Sequence, residues 1–194
     1  MIINNNKNNS NPHQRHSLRI KKYNYSLQGA YFITICTYRK ENILGYIIDG
    51  KIELNILGKI TEREWLKTFQ IRKNIQLDEY VIMPNHFHGI IKLTENKGVL
   101  QYAPTNKFHS PSQSIGSIVR GFKSAVTRGI KRLDYPFLYS IWQRNYYEHI
   151  IRNERELNRI REYIQNNPLR WEYDRENLEG KPDKTEERFW EDFT

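Results

Sequence analysis

At 194 residues, with 31 Lys and Arg against 22 Asp and Glu, the chain carries a formal net charge of +9; that length suits one domain with a full core plus tails rather than two complete domains. Aromatic residues make up 13% of it, which separates it from disordered basic tails and points to a folded protein whose partners are polyanions, nucleic acid before anionic membrane. No apolar run is long enough to span a bilayer, the opening residues lack a signal-peptide core, and the single cysteine, Cys36, leaves no internal disulfide and no cysteine-based zinc cluster, so a cytoplasmic protein is expected.

In chain order, residues 1–18 read as a disordered Asn- and Lys-rich tail. A basic arm follows, in which Arg19, Lys21 and Lys22 are candidate phosphate contacts. The β-branched and aromatic run 31–38 predicts a first strand, and Leu44–Leu54 predicts a hairpin turning at Asp49-Gly50. Ile60, Trp65, Leu66 and Phe69 recur at helical spacing over Leu57–Phe69. Strands are expected near 76–83 and 86–93, with the turn at Met83-Pro84-Asn85. The Pro-, Asn- and Ser-rich stretch 94–113 reads as a mobile loop. Ser114–Leu133 predicts a helix with Ile115, Ile118, Phe122, Val126 and Ile130 on one stripe; Arg120, Lys123, Arg128 and Lys131 lie on its other faces as candidate DNA contacts. A fourth strand is expected over Leu138–Tyr147. A last helix, 154–167, is capped by Asn153 and stopped by Pro168, because a residue before proline avoids the α region. The order strand–helix–strand–strand–helix–strand is that of a ferredoxin-like, split βαβ, α+β fold: an antiparallel sheet with helices on one face and an added C-terminal helix. The charged and aromatic residues 172–194 form an extension, packed as an accessory or partly loose.

The chemistry centres on Tyr80-Val-Ile-Met-Pro-Asn-His-Phe-His-Gly-Ile-Ile91. Along a strand successive side chains alternate faces, so His86 and His88 point the same way while Phe87 enters the opposite layer. Two adjacent imidazoles make half of a divalent-metal site; they are also compatible with core histidines bonded to backbone. In the last helix Tyr163 and Asn167 are four apart and share a face. A tyrosine attacks phosphorus well when a metal draws charge from the phosphate and helps to stabilise the phenolate, although Leu157, Ile160 and Ile164 beside it equally suit a core aromatic. Tyr146 and Tyr147 are rival nucleophiles, better read as packing or base-stacking residues because Ile150 and Ile151 lie four positions on.

His-Phe-His after Met-Pro-Asn, then Tyr146-Tyr-Glu-His-Ile-Ile-Arg-Asn-Glu-Arg-Glu-Leu157, then Tyr163-Ile-Gln-Asn-Asn-Pro-Leu-Arg-Trp171 together resemble the REP-associated tyrosine transposases, a group of single-tyrosine HUH transposases. The resemblance spans residues 19–171. It implies a ferredoxin-like catalytic domain that uses Mg²⁺ or Mn²⁺ to cut and rejoin single-stranded DNA near hairpins, as a monomer or a homodimer. It also implies that His86 and His88 bind the metal, that Tyr163 on the C-terminal helix is the nucleophile, and that Asn167 completes the metal shell, where relatives often carry Gln; Asn166 and Gln165 are the fallbacks. Two other readings stay open: a non-catalytic hairpin-binding protein of transposase descent, and a metal-dependent nuclease using water.

Overall fold

The computed structural model describes residues 28–94, 114–133 and 140–193. The 1–18 tail, the arm residues Arg19, Lys21 and Lys22, and nearly all of the 94–113 loop lie outside them. The elements run β1 (Gly29–Cys36), β2 (Gly45–Ile48), β3 (Lys51–Leu54), α1 (Ile56–Ile71), β4 (Ile75–Ile82), β5 (His86–Leu93), α2 (Ile115–Lys131), β6 (Tyr147–Ile151), α3 (Glu154–Asn166) and α4 (Lys184–Glu191). Four strands form one sheet in the order β4-β5-β1-β6, with every pairing antiparallel. This is the expected split βαβ topology, a mixed α/β fold with the β2–β3 hairpin inserted ahead of α1.

Each long helix begins where a short polar side chain satisfies the first free amides. Asn55 accepts from Leu57 and Gly58, Ser114 from Ser117, Asn153 from Glu156, and Asp183 from Thr185 and Glu186. The hairpin turns where expected, with Asp49 and Gly50 both at positive φ, as its tight turn requires. Gly58 allows α1 to approach the hairpin base: a Cβ there would lie 2.1 Å from the Leu44 carbonyl oxygen.

β1 is central, so both of its faces are covered and its sequence is apolar on both. Tyr31, Ile33 and Ile35 pack with Phe87, Trp65 of α1 and Phe122 of α2. On the other face Phe32 and Ile90 pack under α3 and α4, against Ile160, Ile164, Phe189 and Trp190. The two helices of the split βαβ unit thus cover one face, the added C-terminal helix α3 covers the other, and residues 172–193 pack as an accessory that closes this second face.

Two expectations are corrected. The fourth strand is Tyr147–Ile151, not Leu138–Tyr147. The residues before it run past the end of β1 instead, where Thr37 and Trp142 form an isolated bridge and the Gln143 amide donates to the Cys36 carbonyl. Its register on β1, from Thr34–Tyr147 to Ala30–Ile151, is set by the free edge of a central strand, which no local pattern reports. Pro168 likewise does not drive Asn167 out of the α region: Asn167 has φ −58° and ψ −41°. Helical turns continue through it, with the Arg170 amide donating to the carbonyls of Asn166 and Asn167, so Pro168 sits in the first turn of the next segment, where its missing N–H costs nothing.

A candidate metal centre beside a tyrosine

His86 and His88 open β5, on the sheet face that α3 and α4 cover. The register places His88 opposite Thr34 and His86 opposite Cys36, while Phe87 faces the other way, 4.4 Å from the Trp65 ring. Both histidines are fully buried and their ring centroids are 4.4 Å apart.

Hydrogen bonds orient both rings. The Asn85 amide nitrogen donates to the carbonyls of Lys40 (3.1 Å) and Glu176 (2.7 Å), which turns its oxygen to His86 Nδ1 at 2.8 Å. An amide oxygen only accepts, so Nδ1 of His86 carries a proton, and Nε2 is the ring atom turned toward Asp174. Thr34 Oγ1 engages His88 Nδ1 at 2.8 Å. Burial, the neighbouring His86 and the Arg175 charge hold His88 well below the usual histidine range, so it is neutral.

Both Nε2 atoms lie buried without a hydrogen-bond partner, as does Asn167 Oδ1. Such orphans are costly in a low-dielectric interior. Beside them is Asp174, 1% exposed, whose Oδ2 stands 3.7 Å from His86 Nε2 and accepts from Asn167 Nδ2 at 2.7 Å. At that separation a cation between the carboxylate oxygen and the imidazole nitrogen would be shared by both. Ligand atoms of His86, His88 and Asp174 all fall within 4.8 Å of one another. Donors about 2.2 Å from one centre sit up to about 4.4 Å apart, so a contraction of a few tenths of an ångström brings the three to one ion. His86, His88 and Asp174 thus form a buried group able to hold a metal ion, with Asn167 Oδ1 the remaining orphan acceptor.

Asp174 is absent from the sequence reading. It lies beyond the 19–171 boundary, seven residues after Asn167, in a bend no periodicity marks. An acidic residue shortly after Asn-Asn-Pro was the only available signal.

Tyr163 extends from α3 to the same place, its ring centroid 5.4 Å from that of His88 and stacked on Phe189 at 3.8 Å. Its hydroxyl donates to Glu186 Oε1 at 3.0 Å. Burial first, then the charges of Asp174 and Glu186, push the phenol well above its ordinary value. Among the fallbacks, Asn166 is exposed and Gln165 points away to Glu79. Of the rival tyrosines, Tyr147 donates to the Phe193 carbonyl and packs 5.1 Å from Trp190, and Tyr146 donates to Glu148.

A cleft of about 500 Å³ opens beside Tyr163 and Asn167, lined by Arg159, Arg170, Lys184 and Arg188 against Glu162 and Glu186. Its walls carry more positive than negative groups, and no single stretch of sequence marks it, because its cations come from α3, the turns after it and α4. Helix α2 lies across the sheet from the site, with Arg120, Arg128 and Lys131 exposed. Lys123 departs from expectation: its ammonium donates to the carbonyls of Gln143, Arg144 and Asn145, and burial lowers its pKa to about 8. Its donors hold the chain ahead of β6 rather than face a phosphate. Among the described residues no helix is long and apolar enough to cross a membrane.

No protein-family model matches the chain. An uncharacterized protein of Haemophilus influenzae is 46% identical over 172 residues, covering 86% of this chain and 94% of the relative. Among solved structures, a REP-associated tyrosine transposase bound to a REP hairpin aligns with a TM-score of 0.54 at 21% identity, over 79% of this chain and 74% of the other. The chain therefore belongs to one family with the Haemophilus influenzae protein, and its sheet and helices have the fold of a REP-associated tyrosine transposase.

Proposed function

We propose that the protein cuts and rejoins single-stranded DNA beside hairpin elements through a phosphotyrosine at Tyr163, using Mg²⁺ or Mn²⁺ held by His86, His88, Asp174 and Asn167. The observation that carries this reading is the convergence, in one buried place, of two imidazole nitrogens, an orphan amide oxygen, a carboxylate and a phenol. When bound, the metal withdraws charge from the scissile phosphate and stabilises the attacking oxygen.

The chain's own groups do the rest. Tyr163 Oη forms the bond to phosphorus, the strand breaks to leave a free 3′ hydroxyl, and the ester is later reversed by an incoming 3′ hydroxyl without any nucleotide cofactor. The cations of the α3–α4 cleft guide the strand to Tyr163. Arg120, Arg128 and Lys131 on α2 contact backbone phosphates of the hairpin, as do Arg19, Lys21 and Lys22 of the arm.

The test is covalent trapping of labelled hairpin DNA in Mn²⁺ or Mg²⁺, followed by a denaturing gel and peptide mass spectrometry. A metal-dependent adduct at Tyr163, lost in Tyr163→Phe and His86→Ala, is expected. One observation favours a second reading, a nuclease using water: the Tyr163 phenol is held well above its ordinary pKa. That reading predicts cleavage that survives Tyr163→Phe and never yields an adduct.

A further inference from the structure

A phenol that attacks phosphorus must give up its hydroxyl proton, so the reaction needs a group that takes this proton as the bond forms. Only a few groups lie near Tyr163 Oη. Asp174 is committed to Asn167 and to the histidines, and the Nε2 of His88 belongs to the metal centre. Glu162, the preceding residue, is exposed on the cleft wall, and the Tyr163 hydroxyl is directed to Glu186 instead.

Glu186 differs from all three. It projects from α4, is 3% exposed, and accepts the Tyr163 hydroxyl directly at 3.0 Å. The same oxygen accepts from Trp190 Nε1 at 2.8 Å and from the Arg175 amide at 3.3 Å. These two donors fix the carboxylate against the phenol; the groups facing it are Tyr163, Asp174, Arg175 and Trp190.

We propose that Glu186 is a catalytic residue of strand transfer, taking the proton from Tyr163 Oη during attack and returning it when the strand is rejoined. The proposal rests on Tyr163 being the nucleophile. In the forward step the Oη–P bond forms and the P–O3′ bond breaks. Its electron pair leaves on O3′, which takes a proton from water, while the phenol's proton passes to Glu186. In the reverse step O3′ loses a proton to water, attacks phosphorus, and Tyr163 recovers its proton from Glu186. Residues 172–194 are, on this account, part of the catalytic apparatus rather than an appendage.

The experiment uses the full chain with Mn²⁺ and labelled single-stranded hairpin DNA, and reads the single-turnover rate of adduct formation. Glu186→Gln keeps the shape and is expected to slow the reaction by about 10²–10⁴-fold at saturating Mn²⁺ and DNA; Glu186→Asp retains part of the rate. A ring-fluorinated tyrosine at 163, whose phenol ionises more readily, is expected to restore about tenfold or more in Glu186→Gln while changing the wild type little. A merely structural clamp on α4 predicts no such rescue. A wild-type adduct with Glu186→Gln equally fast, or slowed without rescue, overturns the role of Glu186 and leaves Tyr163 standing. No adduct from the wild type under any of these conditions overturns both.

Discussion

Asn85 does more for the site than its position in a turn suggests. Its oxygen accepts from Nδ1 of His86, and its nitrogen ties the Glu176 carbonyl, two residues after Asp174, to the start of β5. One side chain thereby orients a ligand's ring and holds the loop that brings the carboxylate. Groups behind metal ligands matter for affinity nearly as much as the ligands. Asn85→Ala is expected to weaken Mn²⁺ binding by about 10–100-fold, read by isothermal titration, while the sheet stays folded by circular dichroism. Unchanged affinity in a folded variant would show that His86 is oriented by its strand alone.

At the scale of elements, α3 must stay in register for Tyr163 and Asn167 to meet β5. It is pinned to β4 by Arg161, whose Nε and Nη2 reach the two oxygens of Asp78 at 2.8 and 2.7 Å, with Lys92 at 2.7 Å on the same carboxylate. The Arg161 hydrogen bonds, and after them those of Lys92, outweigh burial and hold Asp78 well below the usual carboxylate range. A depressed folded pKa adds stability above the unfolded value, about 3.9, and loses it as pH falls toward the folded one. Asp78→Asn is therefore expected to cost about 1–3 kcal/mol at neutral pH, with the gap to wild type in denaturant melts closing below about pH 4. Helix α2 offers a different comparison. If its outer face tracks phosphates, Arg128→Ala and Lys131→Ala each lower the salt slope of DNA binding by about 0.7–0.9. Lys123→Met should leave the slope alone and instead speed hydrogen exchange over 143–147, since its donors serve carbonyls there. A slope change in Lys123→Met would return that residue to the DNA surface.

At the scale of the molecule, the sheet separates two cores: one binds α1 and α2, and the other carries the site under α3 and α4. Three buried acceptors without partners beside a buried carboxylate are costly in a low-dielectric interior, a cost that a bound cation would offset. Metal that binds only the folded chain adds about 2.7 kcal/mol at 100 times its dissociation constant, so Mn²⁺ is expected to raise the melting temperature and a chelator to lower it. His88→Ala should abolish this shift; a shift that persists there would place the ion elsewhere. By itself the sequence determined what short-range rules govern. The two-residue period of a strand aimed His86 and His88 together, the turn of a helix stacked Tyr163 and Asn167, and Asn153 and Asp49-Gly50 marked a cap and a turn. Tertiary structure alone decided which partners close the site. Asp174 and Glu186 meet Asn167 and Tyr163 across gaps of sequence with no period, the start of β6 was set by the free edge of β1, and the three carbonyls that Lys123 serves ahead of β6 lie 20 or more residues away. Local patterns report which way a side chain points; only the packed chain determines what it meets.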